Sequence, residues 1–282
     1  MKGEINMNHI PCALTIAGTD PTGGAGVQAD MKTFQELKSY GMSVITSVVS
    51  QNTTGVKDVL HLPLSVITAQ LDAVIEDIPI HALKTGMIAN VDMMKKIKQR
   101  IEQLDVAYVM DPVMVTTSGD TLINEEARVF LRDQLLPITT IVTPNIPEAE
   151  FLLNRKIANV EEMEQAAKDI VTMFGVKAAL VKGGHRKEDA TDILYDGQTL
   201  HTFSAERVAT NNTHGTGCTL SAAITAYLSQ GDTLVQAVEK AKGYVTVAIE
   251  HSLELGHGSG PTNHWAPRIN ETIKSNSLIG GK

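Results

Sequence analysis

Short apolar runs alternate with longer amphipathic ones along almost the whole chain, and this alternation restricts the fold more than any single motif does. Residues 13–17 read as a buried strand, followed by a glycine loop and a helix over about 25–40. A β-branched strand over 43–50 comes next, then a polar, turn-like stretch over 51–61 with room for a short hairpin, then a helix over 63–77. The series continues with strands at 81–85, 106–110, 140–142 and 178–181, and with helices at 92–104, 124–133, 149–153 and 160–174. Residues 192–195 and 200–203, divided by Asp196-Gly197, read as a hairpin, and helices over 217–228 and 233–251 complete the series. Such a pattern packs as a mostly parallel central sheet with helices on both faces, a three-layer α/β/α sandwich. Neither a linker rich in Pro, Gly or Ser nor an internal repeat divides it. Residues 10–266 therefore read as a single domain, between an N-terminal extension over 1–9 and a C-terminal tail over 267–282 whose last ten residues are expected to be disordered.

The 282 residues suffice to bury a core without covalent staples. A net charge of −8, with no run of Lys or Arg, argues against a nucleic-acid partner or an anionic membrane surface. An anionic substrate would have to be held by local backbone dipoles and a few lysines. Two cysteines, Cys12 and Cys218, form no CxxC pair, so a reducing, cytoplasmic setting is expected. The first residues lack a signal-peptide core, and no run approaches the ~18 apolar residues of a membrane span. The nine histidines show neither HExxH nor an i, i+4 pair, which argues against a histidine zinc site.

In a parallel sheet, ligands gather at the carboxyl edge of the strands. Chemically suggestive residues follow one strand after another here: Gly18 with Asp20 and Gly24, then Gln51, then Lys84-Thr85-Gly86-Met87, Asp111-Pro112-Val113-Met114, Thr143-Pro144-Asn145 and Lys182-Gly183-Gly184-His185. The stretch Thr213-His214-Gly215-Thr216-Gly217-Cys218 opens a helix of small residues. Its free amides and the helix dipole suit a phosphate, and they bias Cys218 toward thiolate. The same residues read equally as a Thr N-cap, two turn glycines and a buried small residue.

The loop Gly18-Thr19-Asp20-Pro21-Thr22-Gly23-Gly24-Ala25-Gly26 is not a P-loop, because Gly24-Ala25 stands where Lys-Ser/Thr is required. It is not a dinucleotide fingerprint either, since no acid ends the second strand. A close-approach ligand loop and a plain strand–helix turn both remain. Asn145-Ile146-Pro147-Glu148 is either a capping arrangement or a pair of groups beside magnesium and phosphate. Asp111 is a strand stop or a further carboxylate near the metal, and Lys182 is a solvated lysine or a phosphate partner. Gln51 offers a donor beside an acceptor, which matches an exocyclic amine next to a ring nitrogen; taken alone, it is a loop glutamine.

As a set, these segments resemble the ribokinase-like superfamily, and within it the bacterial hydroxymethylpyrimidine/phosphomethylpyrimidine kinases of thiamine biosynthesis. The resemblance rests on residues 14–20, 23–32, 48–53, 84–87, 111–114, 143–148, 181–185 and 214–218, in family order. It implies a ribokinase-like sandwich, a likely-to-be-tested homodimeric assembly, ATP with Mg2+ as the phosphoryl donor system, and two successive phosphorylations of 4-amino-5-hydroxymethyl-2-methylpyrimidine in one site. Carried over by position, Gln51 would read the aminopyrimidine edge, while Met87, Val113, Gly18, Asp20 and Gly24 shape the pocket. Gly215, Thr216 and Gly217 would form an anion hole. Asp111, Asn145, Glu148 and Lys182 would surround the phosphates, with Asp111 and Glu148 holding the metal directly or through water. Cys218 would be the base, where sugar kinases of the superfamily carry aspartate. The competing expectations are a pyridoxal/pyridoxine kinase of the same cysteine-containing branch and a non-catalytic vitamin-binding protein.

Overall fold

The computed structural model describes residues 10–114, 124–184 and 190–269. The expectations for the N-terminal extension, for His185 and for the end of the C-terminal tail lie outside the described residues.

The chain runs β1 (Cys12–Ala17), α1 (Gly26–Glu36), β2 (Tyr40–Ile45), β3 (Ser47–Asn52), β4 (Gly55–His61), α2 (Leu64–Asp77), β5 (Ala82–Thr85), α3 (Val91–Ile101) and β6 (Ala107–Met110). It continues through α4 (Glu125–Phe130), β7 (Ile141–Val142), α5 (Ile146–Leu153), α6 (Val160–Phe174), β8 (Ala178–Val181), β9 (Asp192–Tyr195), β10 (Leu200–Phe203), α7 (Thr216–Ser229) and α8 (Leu234–Glu250). Eight strands form the central sheet in the order β10-β9-β8-β7-β6-β5-β1-β2. The pairs from β2 to β8 are parallel, and β9 and β10 add antiparallel strands at one side.

Period-two alternation builds two apolar layers on this sheet. Leu14, Ile16, Leu83, Tyr108 and Met110 pack toward α2, α3 and α6, through Ile67, Leu71, Met93, Ile97 and Ala166. Their neighbours Val109, Ile141, Ala178 and Leu180 face α7 and α8, and Ala13 meets Phe34 of α1 and Ala222 of α7. Helix α7 is buried at nine positions, most of them small, which lets it lie close to the sheet beneath the carboxyl edge. Among the described residues, no helix is long and apolar enough to cross a membrane.

Several boundaries differ from the sequence expectation. The single strand expected over 43–50 is two strands in two sheets. The chain turns at buried Thr46, whose N–H bonds Ala17, and β3 pairs with β4 in a separate hairpin. The alternation in β3, with Ser47 and Val49 buried and Val48 and Ser50 exposed, fits a half-covered hairpin better than a central strand. Gln51 accordingly sits on a hairpin strand, next to a register shift, and not in a loop after a sheet strand. Helix α5 begins at Ile146, earlier than expected, because Asn145 caps it. After α4 the chain tightens through a π-helical turn (Leu131–Leu135) and a 3-10 turn containing Pro137.

One ion pair is fully buried. Lys84 of β5 lies 2.6 Å from Asp30 of α1, and both side chains have 0% exposure. Thr15 of β1 donates to the same carboxylate at 2.6 Å, and Lys84 also reaches the carbonyl of Cys218 at 3.4 Å. Removing one partner strands a buried charge, whereas replacing both with apolar groups removes the desolvation penalty as well. Lys84→Met should therefore lower unfolding stability by about 3–5 kcal/mol in urea titrations, and Lys84→Met combined with Asp30→Leu should recover most of that loss. Equal losses in the single and double variants would show that the pair does not behave as a unit.

Candidate functional site

A cleft of about 960 Å³ opens at the carboxyl edge of the sheet, under the β3–β4 hairpin. Gly18, Asp20, Gln51, Met87, Asp111 and Val113 line it, together with Asn145, Glu148, Lys182 and the turn from Gly215 to Cys218. Gly24 is the one proposed site residue that does not line it. Its backbone lies behind the wall, where a Cβ would come within 2.6 Å of His214 and 3.0 Å of Pro261.

The floor is made where two backbone segments touch. Gly215 has φ +79, and a Cβ there would stand 1.7 Å from the Gly24 carbonyl oxygen. Only glycine permits both the left-handed conformation and that approach. Gly215, not Thr213, is the N-cap of α7, and no side chain caps this helix. Thr216 instead donates its hydroxyl back to the Thr213 carbonyl at 2.8 Å. Of the two sequence readings, the Thr-capped end is therefore not what forms, and the first-turn amides stay available at the cleft.

Cys218 lies in this first turn, partly exposed to the cleft. The expected bias toward thiolate is not found. Burial pushes the thiol up to about 11; Lys84 and a hydrogen bond from the Gly26 amide pull it down, while Asp30 and Asp111 push it further up. Desolvation outweighs the helix end here.

Beyond the turn lies a compact charged cluster. Lys182 contacts Asp111 at 3.1 Å, and Ser221 of α7 donates to the other oxygen of Asp111 at 3.3 Å. Glu148 is 4% exposed and completes a capping box with Asn145, through bonds of 2.8 and 2.9 Å. Both readings of that motif thus hold in geometry: the residues cap α5 and also face the cleft. Burial pushes the Glu148 carboxyl up to about 7, although Lys182 and the Asn145 amide draw it back. Burial acts against the charge on Lys182, but Asp111 and Glu148 outweigh it and hold the ammonium above its ordinary range. Among the described residues, no three His, Cys, Asp or Glu side chains cluster as a complete metal cage. Two carboxylates of hard oxygen character still fit magnesium, which usually keeps waters and takes substrate phosphate oxygens as its remaining ligands.

At the other end, Val49, Gln51, Val56 and Val59 of the hairpin face the cleft. Met87 lies over Gly18, where a Cβ would come within 2.7 Å of its Cε. Asp20 accepts hydrogen bonds from Thr22, Ala25 and His214, and also from Gln51.

Sequence reasoning missed three features of this cleft. His214 bonds Asp20 at 2.8 Å across 194 residues. Lys84 and Asp30 lie in its wall. Lys242 of α8 bonds Asp192 at 2.8 Å, and Asp192 accepts the Gly183 amide at 2.9 Å, so α8 braces the strand end that carries Lys182. None of these pairs has a local sequence signal; charged residues at expected core positions of β5 and α1 were the only available hint.

The phosphomethylpyrimidine kinase family profile matches residues 20–263. The hydroxymethylpyrimidine/phosphomethylpyrimidine kinase of Staphylococcus aureus (strain MSSA476) is 46% identical over 257 residues, spanning 90% of this chain and 93% of that protein. The protein of the same name from Bacillus subtilis (strain 168) is 44% identical over 269 residues, spanning 94% and 97%. Among solved structures, an ADP complex of Bacillus subtilis pyridoxal kinase superposes with a TM-score of 0.87 at 39% identity, covering 93% of this chain and all of that one. A phosphomethylpyrimidine kinase from Clostridium difficile 630 superposes with a TM-score of 0.76 at 42% identity, covering 85% and 99%. The chain belongs to the phosphomethylpyrimidine kinase family.

Proposed function

We infer that the protein is a phosphotransferase of thiamine biosynthesis that uses ATP to phosphorylate 4-amino-5-hydroxymethyl-2-methylpyrimidine, and then its monophosphate to the diphosphate. The observation that carries this reading is the joint presence, in one cleft, of the Gln51 carboxamide at one end and the uncapped α7 terminus with Cys218 at the other. The family membership supports it throughout the chain.

The proposed division of labour follows from the geometry. Gln51 reads the aminopyrimidine edge, and Met87, Val113 and Gly18 confine the ring. The amides of the turn from Gly215 to Cys218 receive the transferring phosphoryl group, since fixed dipoles at a helix end stabilise developing charge without reorganising. Lys182 neutralises phosphate oxygens. Asp111 and Glu148 would hold Mg2+ directly or through water, with Asn145 fixing Glu148; the ion would supply further charge neutralisation on the phosphates. Cys218, once ionised, takes the proton of the substrate hydroxyl. A loose phosphoryl-transfer transition state asks little of that base, which makes a thiol acceptable despite its high pKa. On the strength of the family resemblance, we further assign a homodimer and a cytoplasmic location.

Pyridoxal phosphorylation is the second reading, supported by structural neighbours that are pyridoxal kinases, such as the Staphylococcus aureus enzyme solved with AMP-PCP and pyridoxal. In an ADP-release assay under magnesium and ATP, the aminopyrimidine alcohol should turn over faster than pyridoxal at equal concentration. Faster turnover of pyridoxal would reverse the assignment, and binding without turnover of either would favour a vitamin-binding protein.

Cys218→Ala should lower kcat by about 100-fold or more and leave the pyrimidine KM within about threefold. An unchanged kcat would remove Cys218 from the reaction. In ligand-free protein, alkylation of Cys218 by iodoacetamide should accelerate about tenfold per pH unit through pH 9, because the reactive thiolate fraction grows at that rate below the pKa. A plateau near pH 8 would show that the thiolate is stabilised after all.

A further inference from the structure

The carboxylate of Asp20 is a meeting point for parts of the chain that are remote in sequence. It is 1% exposed. Thr22 donates to it through its backbone at 2.9 Å and its hydroxyl at 2.8 Å, and Ala25 through its amide at 2.8 Å. His214, in the turn before α7, donates from Nε2 at 2.8 Å, and the Gln51 side chain donates from the hairpin. Burial acts to raise the carboxyl pKa, but the bonds from His214, Gln51 and Thr22 outweigh it and hold Asp20 well below the usual carboxylate range. An ionised carboxylate only accepts, so every partner must present a hydrogen. For Gln51 this settles which way the amide faces: the NH2 group turns toward Asp20.

We propose that Asp20 is a positioning residue that sets the polarity of the Gln51 amide, and through it the cleft's preference for a ring edge with a donor beside an acceptor. One amide hydrogen is engaged by Asp20. The second hydrogen and the carbonyl oxygen are left for the cleft that Gln51 lines. A ring with an exocyclic amine next to an unprotonated nitrogen matches that pair. A ring with an exocyclic carbonyl next to a ring N–H presents the reverse pattern and meets a donor with a donor. Without the carboxylate the amide can turn over and serve either ring. His214 joins the same carboxylate to the turn that ends at Cys218, so the ring reader and the anion site share one anchor. This inference deepens the pyrimidine reading and rests on it.

The test is calorimetric binding, without nucleotide, of 4-amino-5-hydroxymethyl-2-methylpyrimidine and of its 4-oxo counterpart. The wild-type protein should prefer the amino compound by on the order of 30-fold, the cost of one mispaired buried polar contact. Asp20→Asn should reduce that ratio to about fivefold or less, because a carboxamide can face Gln51 with either end. In a Gln51→Ala background, Asp20→Asn should leave the ratio unchanged. A purely structural role for Asp20 would weaken both ligands alike and preserve the wild-type ratio. Near-equal binding of the two pyrimidines by the wild type, or a full ratio retained in Asp20→Asn, overturns the inference and leaves the substrate reading intact. Failure of the amino compound to bind at all overturns both. The wild-type comparison decides the point even if the variants do not fold.

Discussion

The carboxyl edge of the sheet is held together by one buried ion pair. Lys84 and Asp30, with Thr15 and the Cys218 carbonyl, join β5, α1, β1 and α7 at a single point beneath the cleft. Such a pair contributes little net stability, because desolvation of two charges offsets most of their attraction. Its value is positional. Apolar side chains would hold these four elements together but would tolerate sliding between them. A charged pair at 2.6 Å fixes the depth of α7 against β1 and β5, and with it the height of the first turn of α7 at the cleft floor.

The same charges bear on Cys218. Lys84 favours the thiolate, Asp30 and Asp111 oppose it, and burial exceeds all three. A helix N-terminus is often invoked to activate a cysteine, but its field acts together with the cost of removing the sulfur from water. Here the backbone amides do more for an incoming phosphate than for the thiol. That distinction matters for how the site is read: the turn is an anion receptor first, and the cysteine is a weak base placed beside it.

Much of this was legible in the amino-acid sequence, for a physical reason. Strands buried on both faces are continuous apolar runs, and the runs at 178–181 and 192–195 coincide with β8 and β9 residue for residue. Parallel pairing then delivers the residue after each strand to one edge, so Asp111, Lys182 and Gly215 could be brought together without knowing the contacts. What was not legible is anything set by tertiary contact alone. Thr46 divides one β-branched run into two sheets because its N–H bonds Ala17, and nothing local marks that turn. The Asp20–His214 bond spans 194 residues, and the thiol's high pKa depends on burial that a local motif cannot report.

The fold alone does not choose between pyrimidine and pyridoxal. Pyridoxal kinases superpose on this chain as well as a phosphomethylpyrimidine kinase does, at comparable identity. Discrimination must come from few atoms, because both substrates are small aromatic alcohols that can fill the same apolar walls. Apolar confinement separates ligands of similar size by only about 1–3 kcal/mol. A polar group held in one orientation does more, since the wrong ligand then leaves buried donors unpaired. Gln51 is the one carboxamide on the hairpin's cleft-facing side, and Asp20 denies it the freedom to turn over. Selectivity in such a cleft therefore depends less on the residue that touches the ring than on the buried carboxylate behind it.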